Sequence, residues 1–208
     1  LAKRGWRLVL DARGAKQLAQ ARNELARSTD VRAIAGDVAS ESHLLALIEA
    51  SGNSLQLLVN NASELGPSPM PALHAVGLEE VERLYRVNVL APLRLVQLAL
   101  PLMPADGRIV NVTSDAAVEA YEGWGGYGSS KAALDHLTRV LAVEHPGMRI
   151  FALDPGDMRT EMHQRAFPGE DISDRPEPRE SVPALLELIE GERPSGRYRA
   201  ADLAPATV

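Results

Sequence analysis

Within "YGSSKAALDHLTRVLAVEH" a tyrosine and a lysine, Tyr127 and Lys131, stand four residues apart at the start of a segment with helical spacing. Residues i and i+4 share one face of a helix, so this phenol and this ammonium can serve a single site. A free phenol titrates near about 10, too high for easy proton exchange at neutral pH, and a neighbouring cation favours its anion. The pair is thus a candidate proton donor and acceptor with Lys131 as the charge that tunes it. With four tyrosines and the three lysines Lys3, Lys16 and Lys131 in 208 residues, chance produces such a pair in about one chain in seventeen. The pair gains weight from its company. Ser114 lies thirteen residues upstream at the end of the apolar run "GRIVNVTS", and Asn88 lies before that in "YRVNVLAP".

These side chains need a frame. Short apolar runs recur at Arg7–Leu10, Val31–Ala35, Leu55–Val59, Arg108–Val112 and Arg149–Leu153, and each reads as a buried strand. Between them, apolar residues return every three or four positions, as at Leu18, Ala21 and Leu25 and again at Leu44, Leu47 and Ile48. Alternating strand and helix predicts a single α/β domain, a parallel sheet with helices on both faces, over residues 1–208. Longer helices are expected around Glu80–Met103 and Tyr127–His145. Ala166–Pro183, dense in proline, glycine and charge, reads as a surface loop or a lid. In open parallel sheets ligands bind beyond the carboxyl ends of the strands. Those ends here are "DARG", "GDV", "NNAS", "TSD" and "DPGDMRT", all polar or glycine-containing.

Composition removes several classes of function. A net charge of −6 with interspersed signs gives no footprint for nucleic acid or anionic lipid. The absence of cysteine removes disulfides, thiolate metal sites and a cysteine nucleophile. Val87–Met103 is interrupted by Asn88, Pro92, Arg94 and Gln97, so no membrane span is expected. The N-terminus lacks the apolar core of a signal peptide, and a cytoplasmic protein is the default expectation. The five histidines show no metal-binding spacing, so no metal is expected.

In order and spacing these motifs resemble the short-chain dehydrogenase/reductase family, in its classical branch. "NNAS" is similar to the family's Asn-Asn-Ala-Gly turn, "YGSSK" to its Tyr-x-x-x-Lys, and "PGDMRT" to its Pro-Gly-x-x-x-Thr, with Ser114 and Asn88 at the family's serine and helical asparagine. The resemblance implies a Rossmann-type doubly wound domain that moves a hydride between NADP(H) or NAD(H) and a carbonyl or secondary alcohol of a small molecule. It implies Tyr127 as general acid or base, Ser114 as the donor that holds the carbonyl oxygen, and Lys131 as both the cation beside the phenol and a grip on the nicotinamide ribose. Asn88 would hold a water that links the lysine to solvent; alternatively it satisfies backbone groups freed by a kink at Pro92. Asp37 and Val38 would frame the adenine, Asn60 and Ala62 the adenosine ribose, and Pro155, Gly156 and Thr160 the nicotinamide. Arg13 matches the arginine that accommodates a 2′-phosphate, which favours NADP, whereas a shift of one residue puts Asp11 in the position that reads a free 2′-hydroxyl. Trp124, Met162, His163 and Phe167 fall where the family builds its substrate pocket, and residues 161–182 at its substrate loop. The resemblance also implies a homodimer or homotetramer formed through the two long helices.

Two departures stand out. Ser63 replaces the glycine of the Asn-Asn-Ala-Gly turn, where a positive φ would strain it. The family's first strand and glycine-rich phosphate loop have no counterpart in the chain, and since that strand is central to the sheet we expect it to precede Leu1 in the functioning protein. Two rival readings remain: a nucleotide-binding regulator or scaffold without turnover, and the family's extended branch, for which little chain follows Thr160.

Overall fold

All five apolar runs become strands in the computed structural model, which describes residues 1–203. The last five residues of the expected domain, 204–208, lie outside the described residues. The strands are β1 (Leu8–Ala12), β2 (Val31–Ala35), β3 (Leu57–Asn60), β4 (Arg108–Val112) and β5 (Arg149–Asp154). A sixth, β6 (Gly196–Arg199), pairs with β5. It is four residues of "GRYR" with no apolar run to announce it.

Every pairing is parallel, and the order is β2–β1 in one sheet and β3–β4–β5–β6 in another. Among the described residues, each of β1 and β3 is paired on one side only. Their residues, Leu8–Ala12 and Leu57–Asn60, flank a cavity of about 990 Å³. The alternation of side chains along a strand divides the core. On β4 and β5, Ile109 and Ile150 pack with Val96 and Met148 on one face. Val110, Phe151 and Leu153 pack with Ala184, Leu188 and Ile189 on the other.

The helices are α1 (Ala15–Leu25), α2 (Glu41–Ser51), α3 (Leu78–Tyr85), α4 (Ala91–Ala99), α5 (Gly125–Glu144), α6 (Glu161–Ala166) and α7 (Val182–Glu190). The single helix expected over Glu80–Met103 is interrupted: a π-helical turn, Arg86–Leu90, separates α3 from α4. Pro92 has no N–H to give the carbonyl four residues before it, and that carbonyl belongs to Asn88. Among the described residues no helix is long and apolar enough to cross a membrane.

Candidate active site

Lys131 is 2% exposed on α5, and its Nζ donates to the carbonyl of Val112 at the end of β4, at 2.9 Å. The same ammonium lies 5.6 Å from the centroid of the Tyr127 ring. Immediately before the lysine, Ser130 donates to the Tyr127 carbonyl at 2.6 Å and accepts from Asn88 Nδ2 at 3.0 Å. Asn88, fully buried, also takes Glu64 N at 2.8 Å and the Ser63 hydroxyl at 3.1 Å on its Oδ1, and donates to Glu64 O at 2.8 Å. The π-helical turn therefore aims Asn88 at the turn after β3 and welds that turn to α5. The amide serves Ser63, Glu64 and Ser130 and none of the backbone groups freed at Pro92.

Ser63 brings no strain, because among the described residues no non-glycine residue has a positive φ. Instead it adds a second hydroxyl beside the Tyr127 phenol, together with that of Ser114. Burial pushes this phenol up to about 12; the two serine hydroxyls pull against that, and Asp115 and Asp154 add to it. Sequence reasoning anticipated a phenol lowered by Lys131. The geometry differs because the ammonium is committed to Val112 and the phenol is desolvated, so Tyr127 carries its proton at neutral pH.

Burial likewise pushes Lys131 down from 10.5 to about 8, with Asp135 acting in the opposite sense. The unfolded chain holds this proton up to about 10.5 and the folded chain only to about 8, so stability rises with pH between those values and the penalty is complete below them. Thermal melts of the wild type and Lys131→Met should therefore differ most at pH 7, with the variant the more stable by about 1–3 kcal/mol. That difference should shrink toward pH 10, and a constant difference would contradict a desolvated ammonium.

Ser114, Tyr127, Lys131, Pro155, Gly156 and Thr160 all line one cavity of about 260 Å³. Thr160 also caps α6, its Oγ1 accepting from His163 N at 3.1 Å. Trp124 lines the same cavity, its ring 5.8 Å from Tyr127, 5.8 Å from Phe167 and 6.0 Å from Tyr121, whereas Phe167 packs behind it and is not among the lining residues. Met162, His163 and Ala166 close the cavity from α6. Arg13, Asp37, Val38, Asn60 and Ala62 line the larger cavity between the sheets, and Asn61 and Ser63 line both. Asn60 donates to Asn111 Oδ1 at 2.7 Å, while its own Oδ1 is buried without a partner. Asp11 turns to buried His43, 3.4 Å away, and Arg13 lies 3.8 Å from Glu64.

A family model described as short chain dehydrogenase matches residues 1–171. The chain belongs to this family. Among curated short-chain dehydrogenase relatives, the chain is 32% identical to sepiapterin reductase of Mus musculus over 173 residues, covering 76% of the chain and 66% of that protein. It is 35% identical to benzil reductase ((S)-benzoin forming) of Saccharomyces cerevisiae over 161 residues, covering 73% and 59%. The chain thus spans about half to two thirds of the length of the curated relatives it matches. A short chain dehydrogenase structure from Escherichia coli CFT073, complexed with NADPH, superposes with a TM-score of 0.86 at 25% identity, covering 96% of this chain and 88% of that one.

For this short-chain dehydrogenase, one group behind the site was missed from the sequence. Arg197 on β6 donates to Asp135 Oδ2 at 2.9 Å, Asp154 Oδ2 at 3.1 Å and the Ser114 carbonyl at 3.0 Å. It ties together α5 one turn beyond Lys131, the end of β5 and the backbone of the serine. No local pattern marks it, because its partners are brought in from three other elements.

Proposed function

We propose that the protein reduces a carbonyl group of a small aromatic or conjugated molecule with NADPH, Tyr127 serving as general acid. The observation that carries this reading is the convergence of a protonated phenol, a serine hydroxyl and a buried ammonium on one aromatic-walled cavity. The residues fit the cofactor at its two ends. Arg13, Asp37, Val38, Asn60 and Ala62 would hold the adenosine side, with the unpartnered Asn60 Oδ1 as a ready acceptor. Lys131, Pro155, Gly156 and Thr160 would hold the nicotinamide side. When bound, the dihydronicotinamide supplies a hydride to the carbonyl carbon. Tyr127 then gives its proton to the carbonyl oxygen and Ser114 donates a hydrogen bond to that oxygen as charge grows on it, while the Lys131 ammonium stays 5.6 Å from the ring, held by Val112.

Two features favour NADP over NAD: Asp11 is turned to His43, and Arg13, more than half exposed beside Glu64, lines the cavity where a 2′-phosphate would sit. The NADPH named with the Escherichia coli structure points the same way. Trp124 lines the cavity with its indole, and the two relatives are named sepiapterin reductase and benzil reductase, which supports the substrate class. Residues 161–182 would cover the substrate, since α6 already contributes three side chains to the cavity wall. The exposed Leu90 of the π-helical turn and Val140 and Val143 of α5 support pairing of two copies there.

NADPH consumption over a panel of aromatic and aliphatic ketones tests the reading, with turnover expected on the aromatic members. Arg13→Ala should raise the KM for NADPH about tenfold and leave the KM for NADH unchanged, as loss of one charge-assisted phosphate contact requires. Equal use of both cofactors by the wild type would return the choice to Asp11.

A further inference from the structure

The carboxylate beside the catalytic serine has no part in the reaction described so far. Ser114 Oγ donates to Asp115 Oδ1 at 2.9 Å, and the same oxygen accepts from Ala116 N at 2.8 Å. Oδ2 accepts from the hydroxyl of Tyr121 at 2.9 Å, so Tyr121 fixes the carboxylate from the solvent side. A serine hydroxyl has one proton. While that proton rests on Asp115, Ser114 faces Tyr127 as an acceptor only, and it must let go of Asp115 to donate to a carbonyl oxygen.

We propose that Asp115 is a positioning residue that acts through Ser114 and Tyr127: it parks the serine proton, and its charge adds to burial in opposing loss of the Tyr127 proton. This rests on the reading of the site as a reductase. Burial pushes the Asp115 carboxyl up, but the hydrogen bonds from Ser114, Tyr121 and Ala116 outweigh it and hold the group below the usual carboxylate range. Asp115 is therefore an anion at neutral pH, and it opposes loss of the Tyr127 proton.

The other charges around the phenol are arranged differently. Lys131, on the tyrosine's own helix, is held by Val112. Asp154, at the end of β5, is neutralised by Arg197 from β6. Asp157 and His163 line the cavity from the loop after β5 and from α6, and Asp157 is largely exposed to solvent. Glu64, in the turn after β3, is paired with Arg83 and Arg13. Asp115 is the carboxylate that touches the Ser114 hydroxyl directly without a cation beside it.

Asp115→Asn keeps an acceptor for Ser114 and Ala116 and removes the charge. In alcohol oxidation, where Tyr127 must first be a phenolate, the rising limb of the pH profile of kcat should move about one unit toward lower pH. Neutral-pH reduction should change far less. The same shift should be visible without turnover, as an earlier onset of Tyr127 ionisation in NMR spectra of ¹³Cζ-tyrosine-labelled protein, with Tyr127→Phe identifying the resonance. A uniform fall in rate with an unmoved pH limb and an unmoved Tyr127 resonance would make Asp115 a structural cap and overturn the proposal. Moved ionisation in a protein that turns over no carbonyl would uphold the coupling and overturn the reductase reading instead.

Discussion

Tyr127→Phe is expected to lower kcat for carbonyl reduction about 10³-fold with little change in KM, the loss of a positioned general acid. That is about 4 kcal/mol of transition-state stabilisation. The ring should stay where it is, because its contacts with Trp124, Leu65 and Ala116 involve carbon alone. Nor is a polar partner orphaned. Ser63 still donates to Asn88 and Ser114 still donates to Asp115. The melting temperature of the variant should therefore match the wild type, and this separates lost chemistry from lost structure. Steady-state kinetics beside a thermal melt make the check; an unchanged kcat would remove Tyr127 from the reaction.

Arg197→Leu is expected to destabilise the fold by about 3 kcal/mol, since it strands two buried carboxylates at once. The Asp135 and Asp154 side chains are 9% and 3% exposed and the Arg197 side chain 23%, so solvent offers little compensation. For a chain of this size the melting temperature should fall by about 10 °C. Removing the stranded charges as well, with Asp135→Leu and Asp154→Asn, should recover most of the loss, because the penalty lies in the unpaired ions. The Ser114 carbonyl also loses its donor, so kcat should fall in the single variant even at temperatures where it is fully folded. A melt unaffected by Arg197→Leu would mean that the two carboxylates are neutral without it.

Much of this was legible in the sequence, for identifiable reasons. The strands β1 to β5 announce themselves as apolar runs, but the burial the sequence suggested holds only for β4 and β5, which have partners on both sides; β1, β2 and β3 are largely half-buried or exposed. Tyr127 and Lys131 are legible because a helix converts spacing into proximity, and "NNAS", "TSD" and "DPGDMRT" because the residues that line the cavities gather at strand ends. β6 was not legible: its glycine and arginines serve an edge and an ion cluster, not a core. The same holds for the partners that give the site its character. Ser63 reads as a departure from a turn, and only the fold shows its hydroxyl between Asn88 and the phenol. Asp115 reads as loop polarity, and only the fold gives it Ser114 and Tyr121. The raised Tyr127 phenol was missed because burial, a property of the whole packed core, outweighs a cation four residues away.

Hydride transfer itself can be followed directly. Incubation with NADPH deuterated at C4 and an aromatic ketone or diketone, followed by mass spectrometry of the alcohol, asks whether the cofactor's deuterium reaches the carbinol carbon. A wild-type product heavier by one mass unit, with almost no product from Tyr127→Phe, is the predicted result. Tight NADPH binding with no labelled alcohol from any carbonyl would contradict it and identify a nucleotide-binding protein that keeps the fold without the reaction.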